Sequence, residues 1–375
     1  MPASRFIFGT LPWYSVLITA GILLALFFAS REEKRLGLPA ETVLDLALCV
    51  IPLGVIGARA YYVAFAWDTF RSNPISVLYI WQGGLAIYGG ILGGICAAWF
   101  FARRRKLSFL TLVDMVVPGL ALAQAVGRWG NFFNMEAYGA PVTDPVWQFF
   151  PAAVQIPAGS ETVWHMATFF YESMWDLGVF AALMVLRKKA RYPGSTFCWY
   201  ALLYGAGRLV IEGLRMDSLM TAGGNGRVSQ LLSVGMCFAV TVVFALRSLD
   251  RPTVRQTAAG VLAGLGSLLL CVLLPAPAEA FLFSRAAWTL LSVFCCASCA
   301  MRLAAKPLTG SRIALFLVPL VVFAFSLPLR ALLAGRDDLG AVTIVCAMFS
   351  CLAVTSGCAL FSPLPTSSAA AQQES

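Results

Sequence analysis

Histidine and charge are both scarce in this chain: it has one histidine, His165, in 375 residues, and charged residues make up 12% of it. One imidazole excludes a histidine pair in catalysis and any metal site built on several histidines. A soluble domain carries roughly 25% charged residues, so this chain has too little charge to cover a water-exposed surface. Cysteine is not scarce, with eleven present, but zinc-ligand spacing is. Cys296 and Cys299 are spaced as CxxC, with no second pair or histidine nearby to complete a site. The thiols lie in or beside apolar segments and are read as packing residues. No metal and no cofactor is implied. The net charge of +9 does not point to nucleic acid either. The basic residues sit in four short connections, Arg31 to Arg35, Arg103 to Lys106, Arg187 to Arg191 and Arg247 to Arg255.

What the chain does have is apolar length. Hydrophobic residues make up 59% of it, and the mean hydropathy is +0.80. They arrive in runs of about 17–25 residues, which as helices span a bilayer. Spans are expected near 11–30, 43–66, 83–102, 109–127, 167–186, 194–214 and 229–246. The four basic connections fall on alternate sides of successive spans, as the positive-inside rule requires. That places the N-terminus outside, with connections 67–82, 128–166 and 215–228 facing the exterior. The basic cluster follows the first apolar run rather than preceding it, which argues against a cleaved signal peptide. A second block is expected near 257–275, 285–301, 313–335 and 340–361. The small, polar tail 362–375 is expected to be disordered. The fold expected is an all-α integral membrane protein, with a seven-helix core in residues 1–250 and four added helices in 251–361.

Ionisable residues inside spans are costly and call for a reason. The first block holds many: Asp45, Arg59, Asp114, Glu172, Asp176, Arg208 and Glu212, with Arg128 and Glu136 at a membrane edge. The stretch after Arg128 mixes Asn131, Asn134, Glu136 and Tyr138 with Phe132 and Phe133. It is too polar for lipid contact and too aromatic for a free loop, which suits an element lining a cavity. An Arg–Glu pair joining helix ends explains it equally well. Arg208 and Glu212 are one turn apart and can pair. Arg208 lies roughly 9 Å below the outer end of its helix, at a depth similar to Arg128. Two guanidiniums at headgroup depth favour a phosphate, which the planar fork binds through two oxygens. Snorkelling with a structural ion pair is the alternative. Gly83, Gly84, Gly89, Gly90, Gly93 and Gly94 give small-xxx-small spacing, which serves close helix packing and leaves the Tyr88 hydroxyl accessible. His165, at the outer edge of a span, reads as a hydrogen-bonding rim residue.

The pattern resembles the bacterial prolipoprotein diacylglyceryl transferases. Their Arg-x-Gly-Asn-Phe-x-Asn-x-Glu-x-x-Gly signature is matched by Arg128 through Gly139. Further similarities follow along residues 10–247: Trp13-Tyr14, Gly57 through Tyr62, Gly83 through Gly90, Tyr171-Glu172, and Tyr204 through Glu212. Three positions depart from the family pattern. Tyr88 stands where many members have histidine, Met166-Ala167 replaces His-Pro, and Arg215-Met216-Asp217 shortens an Arg-x-Pro-Asp.

The resemblance implies transfer of a diacylglyceryl group from phosphatidylglycerol to the lipobox cysteine of a prolipoprotein signal peptide. A thioether forms and glycerol phosphate leaves, in the cytoplasmic membrane of a bacterium, at a site facing outward. It implies catalytic roles for Arg128, Arg208, Tyr88 and Tyr14. Asn131, Asn134, Glu136, Gly139, Gly89 and Glu212 are expected to bind substrate, with Glu136 and Glu212 orienting the arginines. The thiol proton goes to Tyr88 or to the lipid phosphate. Two rival readings are a lipid or small-solute transporter and a catalytically silent, lipid-binding relative. A transporter predicts a midplane site and repeated halves, neither of which the sequence contains.

Overall fold

A backbone amide in hydrocarbon has no water to bond, so an apolar run of spanning length pairs its own amides as a helix. The computed structural model describes residues 4–159, 161–190, 192–216 and 227–248, with the isolated positions 258 and 262. Apart from those two positions, the expected block at 251–361 and the tail at 362–375 lie outside the described residues. Helices occupy each apolar run up to residue 248. They are α1 (Trp13–Leu36), α2 (Thr42–Phe65), the single turn α3 (Trp67–Phe70), α4 (Ile87–Arg105), α5 (Phe109–Asn134), α6 (Thr168–Leu186), α7 (Ser195–Leu214) and α8 (Val228–Ser248). Four stretches, Trp13–Leu36, Thr42–Phe65, Phe109–Asn134 and Thr168–Lys189, are long and apolar enough to cross a membrane. The protein is thus mostly helical and membrane-integral. On α2, Leu44, Leu48, Ile51 and Ile56 are exposed, the arrangement expected of a surface solvated by lipid.

Two differences from the expected fold bear on the site. The helix expected over 109–127 continues to Asn134, so Arg128 and Asn131 are helical residues rather than part of a loop. The connection that follows contains a hairpin, β3 (Ala153–Ala158) paired antiparallel with β4 (Glu161–Met166), in register from Ala153↔Met166 to Ala158↔Glu161. Val154 and Ile156 on one strand and Thr162, Val163 and Trp164 on the other suit a pleated ribbon. Gly159 supplies the positive φ of its turn. A smaller ribbon joins β1 (Phe6–Ile7) to β2 (Leu11–Pro12) ahead of α1.

The described residues divide into two compact units, one made of those within Met1–Leu17, Ala125–Val179 and Cys198–Ser375, the other of those within Ile18–Gln124 and Phe180–Phe197. The second unit buries Ala29, Val43, Leu46, Phe101, Ala102, Leu112 and Met115 as one core. Carboxylates from other helices satisfy two of its helix starts. The Glu33 carboxylate accepts from Val43 N at 2.7 Å, at the start of α2. Asp114 accepts from Gly194 N at 2.7 Å and Phe197 N at 2.8 Å, at the start of α7. A buried helix end leaves N–H groups without partners, and a negative charge there also suits the helix dipole. Buried Glu32 is bound by Arg35 and Arg187, and Asp45 by Arg105. Three of the basic connections thus supply ion-pair partners.

α2 and α4 meet along a glycine seam. A Cβ on Gly57 would lie 2.5 Å from the Gly89 carbonyl oxygen and 3.0 Å from Gly93 Cα. One on Gly54 would meet the Gly90 oxygen at 3.6 Å, an ordinary contact. Gly57→Ala is therefore expected to lower the thermal midpoint in detergent, with overpacking costing about 1–3 kcal/mol. Gly54→Ala should leave it within about 1 kcal/mol of wild type. Equal midpoints for the two variants would contradict close packing at Gly57.

Candidate active site

The site lies in the first unit, where α5, α6 and α7 each contribute to one buried ion cluster. Glu172, on the first turns of α6, is its centre and is 2% exposed. A single oxygen, Oε1, is ion-paired with Arg128 Nη2 of α5 at 2.6 Å and accepts from Arg208 Nη1 of α7 at 2.5 Å. Arg208 turns its other Nη2 to Glu212 Oε2 at 2.8 Å, the one-turn pairing its spacing predicts. Arg215 approaches the same Glu212 oxygen at 3.8 Å, and Arg227 donates to the Glu212 carbonyl. The two expected arginines are therefore together.

The carboxylate that orients Arg128 is not the expected one. Glu136 is exposed and accepts from Asn134 Nδ2 at 3.2 Å, while Arg128 pairs with Glu172. Helix geometry explains the correction. Six residues of α5 carry the chain roughly 9 Å from Arg128 to Asn134, and Glu136 lies beyond the helix end. That end is a Schellman-type turn in which Glu136 N bonds to Asn131 O at 3.0 Å, with Met135 at φ +56° in the left-handed region. Ala137 also takes φ +56°. Two side-chain-bearing residues in that region cost of order 1–3 kcal/mol each, and such strain tends to cluster at functional sites.

The rest of the signature is held by packing. Asn131 and Glu136 line a shallow cleft with Phe132, Tyr138, Gln155 and Phe169. Tyr14 covers Gly130 so closely that a Cβ there would lie 2.6 Å from its Cδ2. Trp13 stacks on Phe133 at 4.8 Å, and Arg5 Nη2 donates to the Asn134 carbonyl at 3.0 Å. The opening residues of α1 are thereby fixed to the end of α5. Gly139 is buried; a Cβ on it would lie within 3 Å of Thr168 Cγ2, the Leu214 carbonyl and Met166 Cβ. Its N–H donates to Met166 O at 2.9 Å, and Ala140 N donates to Leu214 O at 3.1 Å. The segment after α5 thus threads between β4 and the end of α7. His165 bonds the Gly139 carbonyl through Nδ1 at 2.8 Å, a rim contact of the expected kind. Tyr88 and Gly89 belong to the second unit, at the start of α4. Tyr88 is half-buried there, and Gly89 packs on the Gly57 backbone.

Two residues of the cluster carry more than their sequence reading assigned. In sequence Glu172 is an ionisable residue in a span and half of a family-like Tyr171-Glu172 pair, with no partner indicated. Asp176, one turn further along α6, is fully buried, and among the described residues neither of its carboxylate oxygens has a hydrogen-bond partner. The sequence signal common to both is the cost of carboxylates inside an apolar helix.

The chain matches the prolipoprotein diacylglyceryl transferase family over residues 4–246, a stretch that includes the whole described cluster. The chain belongs to that family. Among its relatives, the phosphatidylglycerol–prolipoprotein diacylglyceryl transferase of Enterococcus faecalis is 44% identical over 239 residues, covering 63% of this chain and 86% of that protein. The protein of the same name from Gloeobacter violaceus is 44% identical over 249 residues, covering 66% and 91%. That of Shouchella clausii is 41% identical over 239 residues, covering 63% and 86%. Residues 247–375 lie beyond the family match.

The cluster makes opposite predictions for the two acids of α6. Glu172→Gln removes the charge that two buried guanidiniums share, and it should cost about 3–5 kcal/mol of stability. Asp176→Asn breaks no hydrogen bond and removes a buried charge, so its midpoint should equal or exceed wild type. Thermal unfolding in detergent checks both, and a large loss in Asp176→Asn would mean that its carboxylate has a partner.

Proposed function

We propose that this protein transfers the diacylglyceryl group of phosphatidylglycerol to the lipobox cysteine thiol of prolipoproteins. The C–O bond to the phosphate breaks, a thioether forms, and glycerol phosphate leaves. The family match carries the reaction class. The convergence of Arg128 and Arg208 on one carboxylate oxygen supports the place where it happens.

The chemistry asks for what the cluster has. Negative charge grows on the phosphate as the C–O bond stretches, and guanidiniums fixed beforehand stabilise it without reorganising. Glu172 and Glu212 hold Arg208 between them and so set the direction of its fork. Asn131 and Asn134 offer neutral hydrogen bonds to the glycerol or phosphate. The thiol, with an ordinary pKa of about 8.5, must lose its proton to attack. Tyr88 and the lipid phosphate are the two acceptors in this reading, and Tyr14 assists at the headgroup. The working arrangement is a seven-span core in residues 1–250 with the N-terminus and the site on the outer face of the cytoplasmic membrane. In sequence, the four spans expected at 251–361 carry almost no charge well inside them, Arg330 being the nearest case, so they are assigned a packing or partner-binding role.

The test is purified protein in phosphatidylglycerol vesicles with a lipobox peptide, scored by peptide mass. A mass gain of one diacylglyceryl group is expected. Its absence would favour a transporter or a silent lipid-binding relative. Arg128→Ala should reduce the gain by about 10²–10³-fold, the usual cost of losing one preorganised charge-stabilising donor. Full activity in that variant would remove Arg128 from the phosphate site.

A further inference from the structure

Arg59 sits near the end of α2 and is 8% exposed, yet the bonds of its guanidinium all go to backbone. Its Nε donates to Val77 O at 2.7 Å. Nη1 donates to Gly83 O at 2.7 Å and Gly84 O at 3.0 Å, and Nη2 to Ser76 O at 2.7 Å and Tyr79 O at 3.5 Å. A guanidinium has five N–H donors, so this one has none left for a phosphate. The carbonyls it gathers are those of Ser76 and Val77 in the 3₁₀ turn Pro74–Leu78, of Tyr79 between that turn and a second, Ile80–Gln82, and of the glycine pair that follows. A cation is a favourable partner for carbonyls at the ends of such turns; Ser76 O also accepts from Tyr79 N at 3.1 Å. Phe70 closes the other side, its ring centroid 5.0 Å from the guanidinium carbon. Gly84 has a φ of +73°, and a Cβ on it would lie 2.6 Å from Arg59 Nη1 and 2.7 Å from Tyr62 Cε1.

The segment so gathered leads directly into Tyr88. Ala86 N donates to the Ala58 carbonyl at 3.0 Å, one residue before Arg59. α4 begins at the next residue, Ile87, and Gly89 rests on the Gly57 backbone. The Tyr88 backbone is therefore held between two contacts on α2, and the chain entering it is held by Arg59.

We propose that Arg59 is a positioning residue for Tyr88: by tying the carbonyls from Ser76 to Gly84 to α2, it sets the start of α4 and the reach of the Tyr88 hydroxyl. The proposal rests on the reading of Tyr88 as acceptor of the thiol proton. A misplacement of about 1 Å at a reacting group can cost 10²-fold in rate, so a tie this close to Tyr88 affects turnover as well as stability.

A double-mutant cycle tests it. Arg59→Lys keeps the charge but has three donors on a narrower head, and Gly84→Ala disturbs the same contact from the loop side. Each is combined with Tyr88→Phe and assayed in the vesicle reaction, with thermal midpoints measured alongside. Tyr88→Phe should lower kcat. Arg59→Lys alone should lower kcat by about 10-fold with KM for phosphatidylglycerol within about 2-fold. In the Tyr88→Phe background it should change kcat by less than about 2-fold. Multiplicative losses in the double variant would overturn the proposal and leave the reading of Tyr88 intact. Unchanged turnover in Tyr88→Phe would overturn both. Gly84→Ala carries the same comparison if Arg59→Lys does not fold.

Discussion

Two guanidiniums cannot be held close together in a low-dielectric interior unless negative charge lies between them. At an effective dielectric of about 20, unit charges 4 Å apart interact by about 4 kcal/mol, and the sign decides whether helices bearing them attract or separate. Glu172 resolves that conflict with one oxygen, which takes Arg128 from one helix and Arg208 from another. The relation among α5, α6 and α7 in this unit follows from it. The aromatic packing of Trp129 against Phe132, Phe169 and Phe170 and the bond from Trp129 Nε1 to Ser173 Oγ then fix α5 on α6.

Once the cluster is fixed, small residues are required wherever backbones must approach it. Gly130 lies under the Tyr14 ring, Gly139 is closed in by Thr168, Met166 and Leu214, and Gly207 lies against the Trp175 indole. The signature from Arg128 to Gly139 therefore mixes two kinds of residue. Some face the cleft, and others have no side chain because a neighbour already fills the place. A motif that looks chemically uniform in one dimension divides by burial in three.

Among the described residues, the four spanning stretches were legible because apolar length alone specifies them, and the pairing of Arg208 with Glu212 because i,i+4 spacing places both on one face. The extent of α5 was not. Gly127, Gly130 and two asparagines are weak helix formers that read as a boundary, and packing against Tyr14 and the α6 aromatics overrides that preference. The role of Glu172 was hidden for a different reason. Its partners are 44 residues before it and 36 after it, and no spacing rule links them. The hairpin was visible in its β-branched run but was obscured by the expectation of an exterior loop. The carboxylates that serve two helix starts from other helices, Glu33 and Asp114, were equally out of reach of local pattern.

Arginines in this protein show how the same side chain divides between scaffold and chemistry. Arg59 uses its donors on carbonyls that cannot leave, since each belongs to the chain it organises. Arg128 and Arg208 instead face a carboxylate, and a phosphate oxygen offers the same charge and the same lone pairs. In the proposed reaction the phosphate meets guanidiniums that Glu172 and Glu212 have already oriented out of water, so they are not desolvated again when substrate binds. The partner of a buried arginine thus bears on its role: backbone carbonyls fix Arg59 as structure, while in the proposed reaction the shared carboxylate of Glu172 holds Arg128 and Arg208 ready for the phosphate.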